Sequence, residues 1–237
     1  RRGEGAACAP IGRASASLAA MSSRSVTVAR TWKETPLLAG VTLDAPPELR
    51  AAHVHPGQVV AARPADRPED KAVHLALANV PGEPLELLAA PSAVESLRLA
   101  PGAVILLEGP YGRGFPLELA RGKDVLLFAV GSALAPIRPL VELIRAERGE
   151  YGRVSLYVGA LADDAFPYRA RFDAWKRDRI DVVPVLDPRW VQDVFAEDPL
   201  ELEDAVAFVC GMQAMMDGVT EVLGRFGLTA EHVHRNW

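Results

Sequence analysis

The hydrophobic pattern divides the chain into two regions. Over residues 26–116, short apolar runs at 26–29, 40–43, 58–62, 73–78, 85–89 and 103–108 alternate with turn signals: Ala45-Pro46-Pro47, Pro56-Gly57, Pro81-Gly82 and Pro101-Gly102. Strands at that spacing, without a long amphipathic helix, predict a β-barrel or sandwich. From 123 onward the pattern changes. Apolar runs at 124–130, 154–158, 181–186 and 205–210 alternate with helical patterns at 136–148, 168–176, 190–195 and 212–226, and a segment at 232–237 closes the chain. Strands apolar on both faces that alternate with helices predict a doubly wound parallel α/β sheet. The division is therefore a leader at 1–25, a β domain at 26–118 and an α/β domain at 119–237, with the boundary inside 117–122.

Composition narrows the classes. The 237 residues carry a formal net charge of −5, which argues against a nucleic-acid surface. No apolar run approaches the roughly 20 residues that a membrane helix needs. Cys8 and Cys210 are the only cysteines, one in the leader and one ending an apolar run, so a structural disulfide is not expected and a reducing compartment is. The first 24 residues are rich in Ala, Ser and Arg with a single acid, Glu4. That composition suits an organellar transit peptide, and equally an upstream read-through ahead of a start at Met21. The expected location is cytoplasmic, or the plastid stroma if the leader is a transit peptide.

Two turns carry candidate chemistry. In Val130-Gly131-Ser132-Ala133-Leu134-Ala135-Pro136, a glycine ends the first α/β strand and small residues open a helix. Such a turn lets a ligand approach the backbone, and the free N–H groups of the helix start attract phosphate. Pro136 suits a first helical turn, where its missing N–H costs nothing. The second turn is Cys210-Gly211-Met212-Gln213-Ala214-Met215-Met216, again a buried strand opening into a helix. Both turns belong to one sheet, whose ligands bind outside the carboxyl ends of its strands, so they should line one crevice. The competing reading is a pair of ordinary tight turns, with Met215 or Met216 packed in the core and Cys210 an inert buried thiol.

Together these turns resemble the nicotinamide-domain signatures of the ferredoxin–NADP reductase superfamily. Leu156-Tyr157-Val158-Gly159-Ala160 resembles its second strand, and Pro56-Gly57-Gln58-Val59 and Glu108-Gly109-Pro110-Tyr111-Gly112-Arg113-Gly114-Phe115 resemble its first-domain signatures. The nearest branch includes the kiwifruit fruit-protein oxidoreductases and their bacterial relatives. The resemblance implies a Greek-key barrel that binds FAD, followed by an NAD(P)-binding domain, with hydride passing between nicotinamide and flavin and electrons leaving to an acceptor, which includes an acceptor protein. It places Gly131, Ser132, Ala133, Leu134, Ala135 and Pro136 at the dinucleotide phosphates. It places Gly159, Gly211, Met212 and Met215 along the crevice, Ser132 and Cys210 near the nicotinamide, and Trp237 on the isoalloxazine. Gly109, Gly112 and Gly114, with His74, Leu75, Ala76, Leu77, Ala78 and Asn79, fall on the flavin side.

The family's flavin motif is Arg-x-Tyr-Ser, and the matching stretch here, Val73 to Asn79, has neither Arg nor Tyr. The charge-assisted phosphate contact would have to come from His74, or from Arg63 or Arg113 reaching in. This departure leaves open a second reading, a non-catalytic relative that keeps the fold as a binding or assembly module. After Gly159 the chain continues Ala160-Leu161-Ala162-Asp163-Asp164, without an immediate Arg or Ser for a 2′-phosphate; Arg169 and Arg171 further on could serve one, so both NADH and NADPH stay open, with a mild lean to NADH. His53-Val54-His55 and His232-Val233-His234 each place two imidazoles on one strand face. Without accompanying carboxylates or thiolates they are read as solvated faces, and no metal is expected.

Overall fold

A computed structural model describes residues 23–202 and 204–236; the leader, Cys8, Met21 and Trp237 lie outside the described residues. The first half is a curled antiparallel sheet of β1 (Arg24–Thr35), β2 (Leu38–Asp44), β3 (Val59–Pro64), β4 (Val73–Ala76), β5 (Glu86–Ala89) and β6 (Val104–Tyr111). Its strand order is β4-β3-β6-β1-β2-β5. A bridge between Leu77 and Leu87 joins the two edges and closes the barrel. Inward residues such as Val26, Val28, Val41, Val60, Leu77, Leu87, Ile105 and Leu107 fill it. Two short helices absent from the sequence reading plug its ends: α1 (Pro47–Ala52) and α2 (Pro91–Leu97). Each starts on a proline in its first turn, where the lost donor was an orphan anyway, and the Pro-rich runs had read as turns.

The second half is a parallel sheet of order β11-β10-β7-β8-β9. Its strands are β7 (Asp124–Val130), β8 (Val154–Ala160), β9 (Asp181–Leu186), β10 (Ala205–Cys210) and β11 (Val233–Arg235). β8 and β10 are buried at every residue, the physical reason for their unbroken apolar runs. One face packs α3 (Leu134–Ala146) and α4 (Phe172–Arg177), and the other α5 (Val191–Glu197) and α6 (Gln213–Arg225). The helical pattern at 168–176 narrows to α4 because Tyr168 adopts a left-handed φ of 55° and a tight turn at 169–171 follows it.

The halves are welded together. Ala78 and Leu88 of the barrel join the core formed by β7, β8, β10 and α3, and Phe115 meets Phe208 edge-on at 5.6 Å between centroids. Arg138 of α3, only 6% exposed, pairs with Glu86 of β5 and lies 4.7 Å from the centre of the Tyr168 ring. The Tyr168 N–H donates to Glu34 of β1 at 2.6 Å, and the other oxygen of that carboxylate accepts from the Trp32 indole at 2.6 Å.

Candidate functional site

The neighbouring strands β7 and β10 pair Ala129 with Cys210, so their turns open side by side at the carboxyl edge of the sheet. Gly131 holds φ 54°, a conformation that side chains rarely adopt, and a Cβ added there would meet nothing within 4 Å. The glycine thus serves the turn and leaves open space above the backbone. α3 begins behind it with no side-chain cap; the Leu134 N–H is taken by the Gly131 and Ser132 carbonyls and Pro136 has none, so the turn itself, Ser132 and Ala133, presents the main chain to an anion. Ser132 is exposed at the turn and Ala133 half-buried, whereas Leu134, Ala135 and Pro136 point into the core. The latter three can act on a ligand only through their backbone.

A small apolar pocket of about 130 Å³ lies at the same edge, lined by Val130, Gly159, Ala160, Leu161, Asp187, Arg189, Trp190, Val191, Met212 and Met215. Gly159 keeps this wall flat: a Cβ there would press on Val130 and Val191. Gly211 makes room for the Met215 sulfur, 2.9 Å from where its Cβ would sit. Met215 and Met216 are both core residues, while Met212 is 65% exposed and Trp190 52%. Trp190 and Arg189 carried no sequence signal, because the β9–α5 turn reaches this edge only through sheet topology. The Arg189 guanidinium pairs with Glu197.

Cys210 is buried, its Sγ 3.5 Å from the Asn236 side-chain oxygen, and burial pushes its thiol up to about 12. It is a neutral group at physiological pH, so it serves as a shape-setting side chain and not as a nucleophile. Asn236 in turn donates to the Gly57 carbonyl at 3.3 Å. The chain end is thereby tied to the barrel loop at 55–58, between the two halves.

On the barrel side the stretch from His74 to Asn79 divides. His74 is exposed and Leu75 and Ala76 half-buried, but Leu77 and Ala78 are wholly buried in the two cores. The Asn79 amide is committed to the Val80 and Glu83 carbonyls and the Glu86 N–H. Those three offer no side-chain contact to a ligand, because core packing and loop closure use them. Asn79 also meets Nδ1 of His53 at 3.2 Å, leaving His53 Nε2 buried without a partner. Burial lowers the His53 pKa to about 4, so the ring is neutral and Nε2 bears the proton. Arg63 pairs with Glu108 and donates to the Asp70 carbonyl at 3.0 Å, so it is not free to replace the missing motif arginine. Gly109 relieves the β3–β6 irregularity, where a Cβ would come 3.0 Å from the Val59 carbonyl. Gly114 has no room for a side chain against the Pro56 carbonyl, while Gly112 stays open. Among the described residues no three His, Cys, Asp or Glu side chains gather as a metal site, and no helix is long and apolar enough to cross a membrane.

Residues 127–221 match the family model of the oxidoreductase NAD-binding domain, a span that contains both turns. Over 148 residues the chain is 28% identical to the sulfhydrogenase 1 subunit gamma of Pyrococcus furiosus, covering 57% of this chain and 51% of that protein. The chain thus spans about half the length of that relative. Among solved structures, a ferredoxin NADP+ reductase of Neisseria gonorrhoeae with bound FAD and NADP superimposes with a TM-score of 0.78 at 16% identity, over 90% of this chain and 97% of that one. The cytochrome P450 reductase GcoB of Amycolatopsis gives 0.76 at 22% identity, over 90% and 69%. The chain has the two-domain fold of the ferredoxin–NADP reductase-like structures, and most of its α/β half matches the oxidoreductase NAD-binding domain model.

Proposed function

We propose that the protein is an NAD(P)H-linked flavoprotein reductase that passes electrons between a nicotinamide dinucleotide and FAD and on to a separate acceptor. The carrying observation is the open turn at Gly131 with its uncapped helix, set beside the apolar pocket at the same sheet edge. The donor set fits a dinucleotide: the main chain of the Gly131–Ala133 turn for phosphates, and Trp190 and Met212 to flank an adenine. Bound nicotinamide and flavin would supply the hydride chemistry, while the protein supplies binding and orientation. Gly131 admits the diphosphate to the main chain and Ser132 offers a hydroxyl at its rim. Cys210 and Asn236 hold the wall between the halves dry and keep its proton count constant through neutral pH. Trp237, next in the chain, would cover the flavin. The exposed Asp163 and Asp164 after β8 favour a ribose diol over a 2′-phosphate, and the nearby Arg189 is engaged by Glu197, which supports NADH as the preferred donor.

The barrel fits flavin through shape more than charge, since 73–79 lacks the motif arginine and Arg63 is occupied. That observation supports the rival reading of a non-catalytic binding module. Loading with FAD, desalting and recording a spectrum separates the two. The reductase retains flavin bands that NADH bleaches under anaerobic conditions, and FAD raises its melting temperature. In Gly131→Val, a β-branched residue at positive φ and a methyl in the ligand's path should weaken NADH binding about a hundredfold while flavin retention persists. A colourless protein whose melting is indifferent to FAD ends the reductase reading.

A further inference from the structure

A cavity of about 700 Å³ lies away from the Gly131 turn, between the 112–118 linker, His55 and the end of β11. Its lining includes both His55 and His234, the second imidazole of each of the two His-x-His runs, together with Arg113. We propose that this cavity binds a phosphate group, held by Arg113, the backbone of Gly112 to Gly114, and the two histidines. Where the phosphate is the flavin's own, the site deepens the reductase reading; where it belongs to another ligand, the site stands without that reading.

The backbone of the linker is shaped for such a ligand. Gly112 and Gly114 hold φ of 85° and 66°, and among the described residues the N–H groups of Gly112, Arg113 and Gly114 make no backbone–backbone hydrogen bond. Successive free N–H groups around left-handed residues form a concave anion cradle. The loop is pinned in this shape. Gln58 donates to the Gly112 carbonyl at 3.0 Å, Phe115 donates to the Pro56 carbonyl at 2.7 Å, and any side chain at Gly114 would run into Pro56 and His55.

The side chains point the same way. Arg113 is exposed and forms no ion pair among the described residues, in contrast to Arg235 on the same wall, which is held by Asp217, Thr220 and the Met216 carbonyl. Among the described residues Glu118 is the single side-chain carboxylate in the lining, against Arg113, Arg235 and two imidazoles. Burial, and then His232, lower the His234 pKa, and Glu118 offsets them only in part, so this ring offers a neutral N–H donor. Donors that line one cavity from the loop, from His55 and from β11 suit a tetrahedral group with three acceptor oxygens better than a planar carboxylate.

The test uses the full chain without added cofactor, titrated with pyrophosphate at constant ionic strength while the imidazole proton resonances of its five histidines are followed. Saturable shifts are expected at His55 and His234, assigned by His55→Gln and His234→Gln. Arg113→Gln should weaken binding at least about tenfold, since a hydrogen bond to a charged group is lost, with an unchanged melting temperature. Absence of saturable shifts, or an equal affinity in Arg113→Gln, overturns the site. FAD that displaces pyrophosphate where riboflavin does not identifies the flavin's own phosphates as the source. Undiminished pyrophosphate binding to FAD-saturated protein identifies a separate phosphorylated ligand.

Discussion

The α/β half presents its proposed ligand site through the main chain, whereas the family to which the fold points builds its flavin contact from side chains. At Gly131 the working groups are the main chain of the turn and the absence of a Cβ, so almost any helix-forming residues can follow without loss. At 73–79 the same fold is kept, with strand pairing, closure at Leu77 and Leu87, and core packing intact, yet neither Arg nor Tyr of the motif remains. A site made of backbone survives change in sequence as long as the turn survives. A site made of two side chains can vanish while the barrel stands.

The contrast can be broken most forcefully at the seam. Arg138→Met leaves the Glu86 carboxylate beside Tyr168 without its cation, and removing one partner of a buried pair costs about 3–5 kcal/mol. Calorimetry should show the variant melting at lower temperature, with the single transition splitting into two. A melting curve like the parent's would show that the apolar core alone joins the halves.

A smaller effect should separate the halves by pH. His53 is neutral when folded, with a pKa of about 4, and takes up its proton near 6.5 once unfolded. The unfolded chain therefore binds more protons as pH falls. Its contribution is fully present above 6.5 and is lost as pH falls through 4, by up to about 3 kcal/mol. His53→Phe should flatten the acid limb of denaturation curves followed by a probe in the barrel. If the limb is unchanged, His53 does not govern acid sensitivity. The smallest effect lies at the adenine end. Stacking on an exposed indole contributes about 0.5–1.5 kcal/mol, so Trp190→Ala should weaken NADH binding about three- to tenfold by fluorescence titration. An unaltered affinity would move the adenine elsewhere.

How far the sequence was legible follows the same division. β7 and β10 begin and end with their apolar runs because they lie inside the sheet, where nearly every position is buried; β9 also matches its run, although it is an edge strand with Asp181, Pro184 and Leu186 exposed. β1 runs on to Thr35, well past the apolar run at 26–29, because its second half pairs with β2 in a partly solvated hairpin where Arg30 and Lys33 are at home. α1 and α2 stayed hidden behind prolines that serve both a turn and a first helical turn. Within the candidate site the two glycine turns were readable, since strand, glycine and helix follow one another in the chain. Trp190, the Arg138–Glu86 pair and the meeting of His55 with His234 were not, because each joins residues that only the folded topology brings together.

The shared core has a consequence for the protein's life in a cell. Since Ala78, Leu88 and Phe115 complete the packing around Phe208 and α3, either half released alone would carry an uncovered apolar face where its neighbour had been. Such a face is what chaperones hold and proteases find. During synthesis the barrel emerges first and must wait, with that face exposed, until the strands up to β10 have left the ribosome. Proteolytic nicking of the 112–123 linker would therefore yield a pair that stays noncovalently joined, and not two independent proteins.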